Sequence, residues 1–475
     1  MPYDPSKQFR CDIIRSRALD YIDDIISAYA RIIHDICPSP KTDFDSDFDS
    51  KLKPILLALN QKADKKALAN HRTETAKTLF GMYYIENDIV YESQRTAKFL
   101  SDSDQPAFFK DMLYKLQFPN GMTINTTINN RLNQGINCYP CPLVLKVLKE
   151  ASNSGITLCV REIGYYVLNS LDALSRIATP KEIVDRIISD RNQGLHPTIK
   201  RYNGSKEWQH ITGLLHYMYY ANLINYNNKN NTPSGNRNRE VEITINSLEA
   251  STIKRFIDHY SDKLDFDIYD KVLFPRNNIK ERKMFQFKWD KYFCTLSQFA
   301  YTFYTLPNYL ISSLPSSSLS SGKAKKAVTT LIGKAGEKYV IQYEQRKLGA
   351  QYQNLVIDKS SMRGIGYDIE SAILQNGAPK TIFIEVKTTT RTTPPPANSY
   401  MDVINITRNE WKAAKQYKDL FFIYRVYITK GKIFIYQMKN IYQKEQNNLI
   451  TIDSPAYELQ FDINKSGVID VKDSI

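Results

Sequence analysis

Two carboxylates and one lysine stand at a spacing that could do chemistry. Asp368 lies in the stretch from Gly364 to Glu370, and Glu385 and Lys387 end the apolar stretch Thr381-Ile382-Phe383-Ile384-Glu385-Val386-Lys387. Both stretches read as β-strands. Between them, Asn376-Gly377 is a strong signal of a two-residue hairpin turn. Such a turn pairs residues whose numbers sum to that of Asn376 plus Gly377, which sets Asp368 opposite Glu385. Directly opposed residues have Cβ atoms roughly 5 Å apart. Lys387 shares the face of Glu385, while Val386 points the other way into a core. Pro379 is a complication, because it can widen the turn. An even slip of register keeps the three groups on one face; an odd slip separates them.

Carboxylates on adjacent strands can share a hard divalent cation such as Mg²⁺, which takes oxygen ligands and retains several waters. A cation so placed polarises a phosphoryl oxygen and activates a bound water. A neighbouring lysine can orient that water and offset charge on a pentacovalent phosphate. The alternative is a surface hairpin with solvated charges. The abrupt arrival of charge at the end of Ile382-Phe383-Ile384 favours the site. Glu337 falls on a helix expected from Leu331 to Leu348, on one flank with Val340, Ile341 and Glu344. It reads either as a third acidic group aimed at the metal or as a glutamate at the water line. Gly333 and Gly336 would let that helix approach a sheet. Glu410 closes a Thr407-x-x-Glu410 capping box, and capping is the role expected of it. Thr388, Arg391 and Arg408 are placed to touch phosphate.

Tyr367-Asp368-Ile369 with Ile384-Glu385-Val386-Lys387 resembles the PD-(D/E)XK nuclease superfamily, with Tyr367 where that family has proline. Gly333-Lys334-Ala335-Gly336-Glu337, the Asp and Glu-x-Lys blocks, and Ile406-Thr407-Arg408-Asn409-Glu410-Trp411 together resemble the carboxy-terminal domain of the plant NO VEIN protein, over roughly residues 325–440. The resemblance implies Mg²⁺-dependent hydrolysis of DNA phosphodiesters. In that reaction Asp368 and Glu385 bind the metal, Lys387 assists the attacking water, and Glu337 completes the site.

The 475-residue chain is long enough for two to four domains, and its net charge of +14 favours an anionic polymer as partner. A basic, Asn- and Tyr-rich proteome bias is the alternative source of that charge. Six scattered cysteines argue against a disulfide framework. The lone Cys138-x-x-Cys141 reads as a turn rather than a zinc site. No apolar run reaches the roughly 20 residues of a membrane helix, and the amino terminus lacks a signal-peptide core. A soluble, cytoplasmic protein is expected. No Walker-A loop, dinucleotide loop or His-based nuclease cluster is present.

Helical periodicity covers residues 10–37 and resumes from Leu52 to Ala76 after a polar, acidic break at 39–49. The helix from Pro142 to Lys149, the break Ser152-Asn153-Ser154-Gly155 and a helix capped by Thr157 fit a helix-turn-helix. An ordinary pair of packed helices fits as well. Phe118-Pro119 and the helix holding Glu162-Ile163 also resemble AlwI-type restriction endonucleases. Helices opening at Thr179-Pro180 and from about Ser205 to Asn222 precede Leu223–Tyr226 and Val241–Ile245. Those two stretches bracket a polar loop with Lys229, Arg237 and Arg239, read as a DNA-contacting wing in preference to a solvated excursion. The Ser-rich stretch at 311–324 is a flexible linker.

The expected chain is therefore multidomain, with a mostly α-helical, winged-helix amino-terminal half and an α/β restriction-endonuclease-like carboxy-terminal domain. Its divisions are a helical region at 1–94, a helix-turn-helix-like region at 95–178, a winged-helix-like region at 179–310, the linker, and a nuclease domain at 325–475. The function implied is a type II restriction endonuclease cutting double-stranded DNA outside an asymmetric site, with a transient homodimer or partner nuclease subunit for the second strand. A modification-dependent endonuclease and a DNA-binding regulator with an inactive nuclease-like domain are the alternatives.

Overall fold

A computed structural model describes residues 22–102, 104–122, 125–196, 207–228, 239–260, 264–266, 279–300, 324–362, 364–395, 401–429, 432–453, 457–462 and 469–471. The start of the first expected helix, Lys229 and Arg237 in the expected wing, and residues 311–323 of the linker lie outside these. Among the described residues no helix is long and apolar enough to cross a membrane.

The amino-terminal half opens with α1 (Ile22–Ile36) packed on α2 (Lys41–Ala58). The expected break at 39–49 is mostly helix. Phe44, Phe48, Leu52 and Leu56 recur every four residues and are all fully buried. That stripe outweighs the acidic residues, which have only to face outward. Helix α3 (Gln105–Lys115) is buried along its whole length and capped by Asp104, which accepts the Ala107 N–H at 3.0 Å. Lys110 pairs with Glu249 at 2.7 Å and Asp111 with Arg95 at 2.8 Å, while Lys115 at its end donates to the Thr295 carbonyl at 2.7 Å. Buried charges left unpaired would cost several kcal/mol, roughly 3–5.

Helix α4 (Pro140–Asn153) ends at Ser154-Gly155, and β1 (Leu158–Cys159) follows. The cap of the next turn is Cys159, not Thr157. The Glu162 carboxylate accepts the Cys159 N–H at 2.9 Å, and Thr157 instead donates its hydroxyl to Glu242 at 2.7 Å. After α5 (Pro180–Asn192) and α6 (Glu207–Tyr220), β2 (Ile224–Tyr226) and β3 (Glu242–Ile245) form the expected hairpin. Strand β1 joins it in the order β1-β3-β2. The expected cut at residue 178 therefore runs through one sheet. Among the described residues a single core runs from Ile22 to Phe293.

In the carboxy-terminal part, α7 (Ala324–Tyr352) leads to β4 (Ile357–Asp358), then to β5 (Ile369–Gln375) and β6 (Ala378–Thr390). Asn376 and Gly377 have φ of 53° and 80°, the positive values that a type I′ turn requires. Ile369 pairs with Ile384, and Gln375 with Ala378. The register is the one the turn dictates, and Pro379 sits within it opposite Leu374 without a slip.

Strand β7 (Met401–Ile406) belongs to a separate small sheet, between which and the main sheet runs α8 (Arg408–Tyr417). The main sheet continues with β8 (Phe421–Ile428) and β9 (Ile433–Lys439), paired as an antiparallel hairpin. Strand β8 is parallel to β6, with Ile423 beside Glu385 and Arg425 beside Lys387.

One face of the main sheet presents Ile369, Ile382, Ile384, Val386, Tyr424 and Val426 to α7; Phe421, Ile423 and Tyr427 on the other face pack with Trp411 and Ala414 of α8. Burying each large aliphatic side chain contributes about 1.5–3 kcal/mol. The rotation of α7 is fixed by Glu344. This fully buried carboxylate accepts the Ser371 hydroxyl and the Tyr424 hydroxyl, each at 2.6 Å. Glu337 lies seven residues earlier, two turns along the same face.

Gly336 sets the distance between α7 and β6. A Cβ there would lie 1.8 Å from Thr388 Oγ1 and 2.9 Å from Thr388 Cβ, whereas one on Gly333 meets nothing closer than Glu337 Oε1 at 3.9 Å. The expected closeness to the sheet thus belongs to Gly336 alone. Gly336→Ala should destabilise the protein by about 1–3 kcal/mol. Gly333→Ala should be neutral or stabilise by up to about 1 kcal/mol. Thermal denaturation of the two variants checks the contrast.

Candidate active site

Strand β5 loses its regular pairing just before Ile369. The Asp368 N–H donates to the Ile384 carbonyl at 2.9 Å, and the Asp368 carboxylate accepts the Val386 N–H at 2.8 Å. Such irregularities occur beside active sites, where they re-aim a side chain. The segment before it is held by Gly366, with φ of 81°. A Cβ on Gly366 would lie 2.4 Å from the Asn409 carbonyl oxygen, so only glycine lets this loop lie against the start of α8.

Glu385 and Lys387 project from β6 on the face away from Val386, as the alternation requires. Lys387 Nζ is 2.8 Å from Glu385 Oε1 and 2.8 Å from Glu410 Oε2. Glu410 closes the expected capping box, accepting the Thr407 N–H at 3.0 Å, and the same oxygen receives the lysine. Its second role was not legible in the sequence: a capping box accounts fully for a Thr-x-x-Glu pattern, and nothing local places a helix start beside β6.

Burial raises the Glu385 carboxyl well above its usual range; Lys387 opposes this, while Glu410 and Asp368 add to it. Burial also raises Asp368, against the opposing Val386 hydrogen bond. Lys387 is held above its ordinary value despite burial, because Glu385 and Glu410 both favour its charged form. Glu337 is pushed up to about 7 by burial, with Asp368 adding and the Ser360 hydroxyl opposing. The site thus gathers Asp368, Glu385 and Lys387, with Glu337 on the Asp368 side and Glu410 on the lysine side.

Beneath Lys387, Arg425 donates to its carbonyl at 3.3 Å and to Asp402 of β7 at 2.6 Å. Asp402 also accepts the Tyr427 hydroxyl. This buried set joins the small sheet to the strand carrying the lysine.

The donor set fits a hard cation. It is all oxygen, and Lys387 pairs with Glu385 and Glu410, so that with Asp368 beside them the carboxylates leave excess negative charge that a divalent ion between Asp368 and Glu385 would balance. Among the described residues no three His, Cys, Asp or Glu side chains form a ready ligand set. Two carboxylates with water completing the shell is the common way of holding Mg²⁺.

The expected phosphate contacts fare differently. Arg408 is exposed on the first turn of α8. Arg239 is half-buried, its guanidinium 4.0 Å from the centre of the Trp208 ring. Arg391 is only 2% exposed, with its Nε donating to the Thr393 carbonyl at 3.1 Å, so it is a buried residue and not a surface cation. It lies where β6 runs on into the amino-terminal half. Thr390 bridges Asp104, and the Thr392 hydroxyl donates to the Tyr220 carbonyl at 2.8 Å.

The family described as restriction endonuclease BpuJI, N terminal, matches residues 3–290. The chain belongs to the BpuJI amino-terminal family. The sequence pattern in this half had suggested the AlwI type. The family described as protein NO VEIN, C-terminal, matches residues 336–441, the segment holding the site just described. Among solved structures, the chain is similar to the BpuJ1 endonuclease binding domain, crystallised in complex with pyrene- and phenanthrene-modified DNA. The identity is 36% and the TM-score 0.54, over 62% of this chain and 100% of that one. No curated protein matches.

Glu337 generates a pH prediction for the metal-free protein. Its carboxyl titrates near 4.5 unfolded and at about 7 folded. The folded state therefore holds the extra proton between those values, and stability falls as pH rises through that window, then levels off. Glu337→Gln should match the parent near pH 5 and exceed it at pH 8 by on the order of 1–2 kcal/mol, after discounting for partial exposure. Urea denaturation at both pH values measures this; an equal offset at both contradicts it.

Proposed function

We propose that this chain is a type II restriction endonuclease, in which residues 22–293 hold double-stranded DNA and the carboxy-terminal α/β domain hydrolyses it with Mg²⁺. The observation that carries the reading is the gathering of Asp368, Glu385 and Lys387 at one end of the β5–β6 hairpin. Membership of the BpuJI family, the DNA-bound relative and the net charge of +14 support the binding half. Helices α4 to α6 with the β1-β3-β2 sheet are in keeping with a winged helix, whose wing would be the loop of Lys229 and Arg237 with Arg239 at its base. Helices α7 and α8 on opposite faces of a mixed sheet are in keeping with a restriction-endonuclease-like domain.

Asp368 and Glu385 would hold the cation, which supplies charge neutralisation at the phosphate and a more acidic water. Lys387 extends its ammonium beside Glu385, where it can donate to the attacking water or to a phosphate oxygen. The water oxygen bonds to phosphorus as the bond to O3′ breaks, giving a 5′-phosphate and a 3′-hydroxyl. Glu337, with a carboxyl titrating at about 7, can take the water's proton directly or steady Asp368.

One such set cuts one strand per event, so a double-strand break draws on a second copy or a partner subunit. The contacts of Thr390 and Thr392 with the amino-terminal half dock the catalytic strand against it. The cut should therefore fall at a fixed offset from the bound sequence.

Purified protein should cleave plasmid DNA with Mg²⁺ and not with EDTA. Asp368→Ala, Glu385→Ala and Lys387→Ala should each lower cleavage at least 10²-fold, on the order of losing a key electrostatic group, while DNA binding by gel shift stays intact. Full cleavage by Asp368→Ala would sink the assignment. Run-off sequencing should place the cuts at a constant distance outside an asymmetric site, with specific rate rising with enzyme concentration. Cuts within a palindrome at a concentration-independent specific rate would refute that arrangement but not the nuclease.

A further inference from the structure

We infer that Glu410 is a positioning residue for Lys387, an inference that rests on the nuclease reading of the same site. Its Oε2 accepts two hydrogen bonds: the Thr407 N–H at 3.0 Å, which closes the cap of α8, and Lys387 Nζ at 2.8 Å. The lysine has a second partner, Glu385 Oε1, also at 2.8 Å. These two partners are unequal. Glu385 is the residue assigned to the cation, and an ion there competes with the ammonium for the same carboxylate. Glu410 stands on α8, on the other side of the ammonium, and is already oriented by its bond to the helix start. When Glu385 turns to the cation, Glu410 still holds Lys387 in place through its 2.8 Å hydrogen bond. Without it the ammonium rests on Glu385 alone, opposing the cation and losing its fixed direction toward the phosphate.

The geometry of α8 makes this arrangement rigid. Helix α8 is the crossover between β6 and the parallel β8, anchored through Trp411 and Ala414 in the core. Gly366 brings the Asp368 loop against the carbonyl of Asn409, the residue before Glu410. The loop bearing one metal-binding carboxylate and the helix start holding the lysine therefore touch directly.

Capping and positioning are separable, because glutamine also closes a capping box. Glu410→Gln keeps the cap and removes the carboxylate that Lys387 contacts; Thr407→Ala loosens the cap and keeps that carboxylate. The experiment labels amines in metal-free protein with acetic anhydride at pH 9 and follows acetylation of Lys387 by mass spectrometry. Alongside it run melting temperatures and single-turnover cleavage in Mg²⁺. Glu410→Gln should melt within about 2 °C of the parent, label at Lys387 roughly threefold to tenfold faster, cleave at least tenfold more slowly at saturating DNA, and need more Mg²⁺ for half its maximal rate. Thr407→Ala should melt lower and label Lys387 at the parental rate. Parental labelling by a folded Glu410→Gln overturns the positioning role, as does faster labelling in both variants alike. If labelling responds as described while the parent cuts no DNA, the positioning stands and the nuclease reading falls.

Discussion

Strand β6 is the constraint on which the carboxy-terminal domain depends. It pairs antiparallel with β5 on one side as far as Ile384 and parallel with β8 on the other through Glu385 and Lys387, so it is central in the sheet. Alternation then divides its side chains: Ile382, Ile384 and Val386 enter the core under α7, and Phe383, Glu385 and Lys387 face α8. A one-residue slip would exchange these sets, placing two charges in the core. Burial of the isoleucines thus fixes the direction of Glu385 and Lys387.

The same strand links the two halves of the chain. Thr388 lies against Gly336 of α7, Thr390 bridges Asp104 at the start of α3, and Thr392 bonds to the end of α6. Helix α6 leads directly into the β2–β3 hairpin proposed to bind DNA. The lysine and that hairpin are therefore joined by a short, buried run of backbone, with Thr389 to Thr392 each under 5% exposed. A displacement of that hairpin has a physical route to the candidate site through this buried backbone.

What the sequence made legible follows from how local each signal is. The β5–β6 register was readable because Asn376-Gly377 defines its own turn and strand pairing propagates from there. The capping box of α8 and the β8–β9 hairpin are local in the same sense. Helix α2 was obscured, since Ser39-Pro40 and the acidic run look like a break until Phe44 and Phe48 are seen to begin a stripe that continues through Leu52 and Leu56. Thr157 lost the cap to Cys159 because Arg191, far along the chain, holds Glu162 at 2.7 Å in position to close a box there. Arg391 was misplaced for a related reason: its burial comes from packing between halves that no local pattern encodes. Glu410 looked fully explained by its cap, and only the crossover geometry revealed its contact with Lys387.

In the proposed site, Asp368 and Glu385 hold one divalent cation beside Lys387. Iron-directed cleavage tests it without DNA: Fe²⁺ with ascorbate and peroxide generates radicals that cut the backbone next to the bound ion, and mass spectrometry maps the cuts. Cuts are expected near residues 368 and 385, suppressed by excess Mg²⁺ and lost in Asp368→Ala. Cuts elsewhere, or cuts at these positions that persist in Asp368→Ala and in Mg²⁺, would contradict it.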